Sequence, residues 1–405
     1  MHTLIYFKEN ELAPTGGPKG YLYNLNKELK RLKISNIEFL NEKINEDSKI
    51  KRIYKRIETK PMKRFKEIFR NGVTVALNVI ENNKKMYSKI DFNKYDIIHF
   101  HSTLSMYLVK DSLESYKGKV LLTSHTPEVA YKEMIEENAS KFNKIVLKNK
   151  LKKLEIIDQY AFERADYIIF PTEEAEEPYF HTWEKFKNIK DNHTEKFKYI
   201  PTGINEIKLD ESINFRKKYN IPDNAFVVSY VGRHNEIKGY DQLKKIGKTI
   251  LEKYPDVYFL IGGIEKPLKG INNDRWIEVG WTNKAHELIN SSNLFVLPNK
   301  ETYFDLVLLE VMNIGKNVVL TNTGGNKYFK QFDSSELYYY DYEDIDSACK
   351  NIENAYQKFK NHKLTEIDNK RIFENNFTIE KFTNNYLNLL NDIYYEDSNE
   401  KINNK

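Results

Sequence analysis

A chain of 405 residues exceeds one ordinary hydrophobic core and suits two domains. With 40% hydrophobic and 30% charged residues it can fill an interior and solvate a surface, and no apolar run approaches the ~20 residues of a membrane-crossing helix. One cysteine, Cys349, excludes an internal disulfide and cysteine-built zinc sites and fits a reducing cytoplasm, while a formal net charge of +5 names no partner.

The first residues turn polar too soon for a signal peptide and predict a strand over 2–7. Gly16-Gly17 follows it and precedes a helical pattern over 22–32, a placement that resembles a phosphate-side loop opening a helix. The pair lacks the full GxGxxG spacing of a dinucleotide site, so no nicotinamide enzyme is read here. Between Lys49 and Arg70, ten basic residues stand against Glu58 and Glu67. Ile50, Ile53, Tyr54 and Ile57 recur there at helical spacing. Such a basic amphipathic stretch suits an anionic membrane surface or acidic acceptor, and equally a solvated helix packed on its own domain.

Strands are predicted over 97–101, 120–124, 167–170 and 197–200, with a helix over 145–164. His99 and His101 alternate along the first of these and share one face; they read as satisfied histidines rather than metal ligands. His125 follows the strand 120–124 and so lies at a strand end, where it could hydrogen-bond a sugar. The turn-rich Pro201-Thr-Gly-Ile-Asn205 is the best domain boundary.

The second half repeats the βα alternation, with strands over 227–231, 257–261, 276–279, 294–297 and 318–321 and helices over 240–253 and 306–314. Many strands are apolar on consecutive residues, as strands covered on both faces are. Gly232-Arg233 and Lys238-Gly239 follow the strand 227–231, and two cations converging from one strand-end loop suit a diphosphate. Residues 298–310 follow the strand 294–297 and lead into a buried helix beginning near Asp305, whose first N–H groups would face the strand-end crevice. Glu310 lies in an apolar run, where its carboxylate must find donors: a vicinal diol such as a ribose, or a Lys or backbone group of its own fold. Gly324-Gly325 at another strand end permits close ligand approach. Asp344-Ile-Asp346 starts a helix and reads as an N-terminal cap rather than a metal site. A long amphipathic helix over 377–395 precedes a polar, frayed tail over 396–405.

Together, Gly232-Arg233, Lys238-Gly239, Pro298 through Glu310 and Gly324-Gly325 resemble the retaining glycosyltransferase family 4, among the group 1 glycosyltransferases. The resemblance extends to Gly16-Gly17, the strand with His99, His125, Glu163-Arg-Ala-Asp166 and Pro201 through Asn205. It implies the GT-B fold: two Rossmann-like, doubly wound parallel-sheet domains facing across a cleft. Residues 1–203 would form the acceptor domain, 204–376 the donor domain, and 377–395 a helix returning to the first. It further implies that Arg233 and Lys238 hold the donor diphosphate and Glu310 the ribose. His125, Gly16 and Gly17 would lie near the sugar and phosphates, and Glu301, Thr302, Phe304, Asp305 and Leu306 would line the donor.

The family pattern separates two glutamates by seven residues; here Thr302 stands at the first position, Glu301 comes one place early, and Asp305 replaces a common glycine. The expected reaction transfers a hexose from a nucleotide-sugar, a UDP-sugar, to a glycan or lipid-linked acceptor of the bacterial cell surface, with retention and without a metal or other cofactor. The enzyme is expected in the cytoplasm, peripheral at the inner membrane face, with no nucleic-acid partner. Two other readings stay open: a non-catalytic glycan-binding partner on the same fold, and a sugar-nucleotide epimerase.

Overall fold

Runs of consecutive apolar residues form the strands because helices cover both of their faces. The computed structural model describes residues 1–7, 12, 17–40, 90–126, 129–132 and 148–403. Gly16 and the basic stretch between Lys49 and Arg70 lie outside the described residues. The chain divides into two compact units. Met1–Phe170, Tyr179–Ile200 and Asn384–Lys405 form the first; Pro171–Pro178 and Pro201–Thr383 form the second.

The first unit holds β1 (Thr3–Tyr6), β2 (Ile37–Leu40), β3 (Ile97–Phe100), β4 (Lys119–Leu122), β5 (Tyr167–Phe170) and β6 (Phe197–Tyr199). They pair in the order β2-β1-β3-β4-β5-β6, every pair parallel. Helix α1 (Pro18–Arg31) buries Leu22, Leu25 and Leu29, one face at helical spacing. Helix α2 (Lys148–Arg164) buries Ile157, Ala161 and Phe162.

The second unit is built the same way, from β7 (Phe226–Val231), β8 (Val257–Gly262), β9 (Trp276–Gly280), β10 (Leu294–Leu297), β11 (Asn317–Thr321) and β12 (Leu337–Tyr340). Its parallel sheet runs β12-β11-β10-β7-β8-β9. Helix α3 (Tyr240–Lys253) buries Leu243, Ile246 and Ile250 against it. Helices α4 (Ala285–Asn290), α5 (Leu306–Ile314) and α6 (Ile345–Lys360) follow β9, β10 and β12. Full burial of each such Leu, Ile, Val or Phe contributes about 1.5–3 kcal/mol. The fold is thus α/β with two Rossmann-like, doubly wound parallel sheets.

Strand order reverses between β7 and β10, so the loops after these two strands diverge and leave a crevice at their carboxyl ends. Arg233 and Lys238 lie in one of those loops, and residues 298–305 in the other.

Two strands were not anticipated. β2 and β12 are edge strands with partly exposed residues in mid-strand; β2 is interrupted by the exposed Glu38, whereas β12 is a continuous Leu-Tyr-Tyr-Tyr run. The last helix also departs from expectation. As α7 it spans Ile379–Asn403, carrying helix through most of the stretch expected to fray. No Gly or Pro interrupts residues 396–403, and extending an existing helix is far easier than starting one. Among the described residues no helix is long and apolar enough to cross a membrane.

Candidate functional site

The loop after β7 turns on Gly239, the N-cap of α3. Its φ is 65°, in the left-handed region, and an added Cβ would overlap the carbonyl oxygen of Pro298. Asn235 Oδ1 accepts from Lys238 N at 2.9 Å, and Ile237 O accepts from Lys300 N at 2.9 Å. The first shapes the Lys238 loop and the second ties it to the loop after β10. Lys238 Nζ then reaches Asp305, 2.7 Å from Oδ1 and 2.9 Å from Oδ2. Arg233 is exposed, and its carbonyl accepts from Tyr230 Oη at 2.8 Å.

Asp305 is the N-cap of α5, yet it makes no side-chain cap. Besides Lys238, its carboxylate accepts from Asn299 Nδ2, and Asn299 is fully buried. Leu306 opens the helix and is partly buried. Phe304 is buried and stacks on Phe329 with ring centroids 5.4 Å apart, so its side chain belongs to the core below the loop. Glu301 is partly buried, whereas Thr302 is buried and its carbonyl accepts from Gly325 N at 3.3 Å.

The glycine pair serves this loop directly. A Cβ on Gly324 would overlap Thr302 O, and one on Gly325 would overlap Tyr303 O. The Gly324 N–H also donates to Glu177 Oε1 at 3.3 Å. Gly324-Gly325 is thus required by the protein's own backbone, since it must admit residues 302–303.

Glu310, one helical stretch beyond Asp305, is 29% exposed, and its Oε2 lies 3.6 Å from His286 Nε2 on α4. The Glu310 carboxylate beside it raises the His286 pKa above the ordinary histidine value. Neither of the in-fold partners foreseen for Glu310, a lysine or a backbone group, is the one found. His286 escaped notice because it lies in a different strand-helix segment, joined to Glu310 only through packing of α4 on α5.

In the first unit, Gly17 is the N-cap of α1, with φ 74°, and its carbonyl accepts from Tyr21 N at 3.1 Å. The Tyr21 ring meets His125 edge-on, centroids 4.7 Å apart. His125 sits in the left-handed region with φ 62°, and its Nε2 lies 2.7 Å from His101 Nδ1. His99 is satisfied at both ring nitrogens, by Tyr386 Oη at 2.8 Å and Thr123 Oγ1 at 2.9 Å. Burial holds His99 and His125 near a pKa of about 3 and drives His101 well below the usual value. Asp344 caps its helix, with Oδ1 accepting from Ser347 N at 3.0 Å.

Arg233, Lys238, Asp305 and Glu310 thus stand on loops and a helix that leave the carboxyl ends of β7 and β10. Residues 211–366 match the family model of glycosyl transferases group 1. That matched segment contains the Lys238 loop, the Asp305 loop, His286 and Glu310. The chain is 23% identical over 270 residues to an uncharacterized glycosyltransferase of Methanocaldococcus jannaschii, covering 62% of this chain and 64% of that one. It is 25% identical over 258 residues to the UDP-Gal:alpha-D-GlcNAc-diphosphoundecaprenol alpha-1,3-galactosyltransferase of Escherichia coli, over 60% and 61% of the two chains. These matches span under two thirds of each relative's own length. Among solved structures, sucrose-phosphate synthase from Thermosynechococcus elongatus aligns with a TM-score of 0.66 at 16% identity, over 97% of this chain and 99% of that one. The shared fold is GT-B.

Proposed function

We propose that this chain is a retaining group 1 glycosyltransferase that moves a hexose-type sugar from a UDP-sugar to a glycan or lipid-linked acceptor in bacterial cell-surface polysaccharide or glycoconjugate synthesis. One observation carries the reading: Lys238 is held at the N-terminus of the helix bearing Glu310, in the crevice where strand order reverses. A fixed cation beside free-ended N–H groups suits a diphosphate. Glu310 is exposed enough to accept from a ribose diol. The galactosyltransferase relative, named for a UDP-sugar, supports uridine as the base.

In the proposed reaction the bond from the anomeric carbon to the leaving phosphate oxygen breaks while the acceptor oxygen bonds on the same face. The acceptor's hydroxyl proton passes to that phosphate oxygen, so no side chain is assigned as general base. Arg233 and Lys238 offset the charge growing on the diphosphate, the place a divalent metal would otherwise fill.

Thermal unfolding against a panel of nucleotide-sugars tests the donor site. A donor at 100 times its dissociation constant should stabilise the protein by about 2.7 kcal/mol. Lys238→Ala should remove the shift and the transfer to acceptor. Full transfer by that variant, or no shift with any nucleotide-sugar, would refute the site.

A further inference from the structure

An aspartate at a helix N-cap ordinarily accepts a hydrogen bond from an N–H of the first turn. Asp305 has the extended backbone of that position, with φ −74° and ψ 116°, but caps nothing. Its carboxylate is turned to Lys238, with both oxygens within 2.9 Å of Nζ, and Asn299 Nδ2 holds one of them from a fully buried position. The Lys238 and Asp305 side chains are only 23% and 17% exposed, so water and salt screen the pair weakly. The ammonium group assigned to the diphosphate is therefore already neutralised by an anion of the protein.

We propose that Asp305 is a resident counter-ion, which an incoming diphosphate displaces from Lys238 and which then turns to cap its own helix. This rests on the reading of Lys238 as a diphosphate ligand. A carboxylate and a diphosphate cannot both sit on one ammonium without strong like-charge repulsion in this half-buried crevice. The displaced carboxylate has a second place to go: the N–H of Val307, two residues along, is a first-turn donor, while that of Leu308 already donates to the Asp305 carbonyl at 3.0 Å. The displacement cost falls on every anion that takes the ammonium, so the pair lowers the affinity for each of them without changing the preference among them.

Calorimetric titration of the whole protein with inorganic pyrophosphate, UDP and UMP tests this. Asp305→Asn and Asp305→Ser remove the charge but keep a side chain able to cap. Each should bind pyrophosphate and UDP at least about tenfold more tightly than the wild type, with the preference for UDP over UMP unchanged. Asp305→Glu, which keeps the charge, should stay within about threefold of the wild type. If one neutral variant fails to fold, the other makes the same test. Equal or weaker binding by the neutral variants overturns the counter-ion role. The donor-site reading survives that outcome if wild-type binding is still lost in Lys238→Ala. No binding of pyrophosphate or UDP by the wild type or any variant overturns both.

Discussion

Single atoms decide the shape of the loops at the β7/β10 crevice. Gly239 meets the Pro298 carbonyl so closely that hydrogen is the largest tolerated substituent, and its left-handed φ of 65° adds a second demand. Gly239→Ala should therefore cost well over about 1 kcal/mol, because strain and overlap add. Gly280→Ala is the control: φ there is 77°, but nothing lies within 4 Å of an added Cβ, so only the left-handed penalty of roughly 1–2 kcal/mol applies. Urea midpoints measure both, and equal losses would mean that the Pro298 loop simply moves aside. The same scale shows where sequence reasoning stops. Arg233 and Lys238 stand out in the sequence because they follow a recognisable strand, and Glu310 because it interrupts an apolar run. The Lys238–Asp305 pair does not, since its members lie 67 residues apart and only the adjacency of β7 and β10 joins them.

Strands β3 and β4 show how an element sets the chemistry of its residues. Alternation along β3 puts His99 and His101 on one face, ring centroids 4.0 Å apart, and β4 delivers His125 to His101. Packed among aromatic rings and one another, His99 and His101 fully buried and His125 partly so, these imidazoles stay neutral. Their folded pKa values lie below the ordinary 6.5, so between that value and about 3 the unfolded chain binds protons that the folded chain does not. Stability should be fully present above pH 6.5 and fall as the pH drops. The slope approaches about 1.4 kcal/mol per pH unit for each buried histidine. Urea unfolding from pH 7 to 5 reads this slope, and His99→Asn should flatten it. A midpoint independent of pH in the wild type would contradict the neutral cluster.

Charge distribution is a property of the whole molecule, and the net +5 conceals a strong concentration between Lys49 and Arg70. If a lipid-linked acceptor is the substrate, this stretch should hold the protein on anionic vesicles, each basic residue near the surface contributing about 1 kcal/mol. Flotation with vesicles rich in phosphatidylserine should carry the protein, and raising the salt should release it. Absent or salt-insensitive association would remove the membrane role.

Helix periodicity and continuous apolar strands were enough to specify two parallel α/β sheets, since a buried strand and an amphipathic helix each carry a local pattern. Helix α3 matches the predicted range 240–253, and α5 the range 306–314. Edge strand β2, with the exposed Glu38 inside it, carries no such pattern. Tertiary structure alone decided what each candidate side chain touches. Asp305 turns to Lys238 rather than to its own helix, His286 meets Glu310, and Gly324-Gly325 makes room for the Thr302 loop. These are contacts between segments remote in sequence, and the order in which strands pair, which no local propensity encodes, creates them.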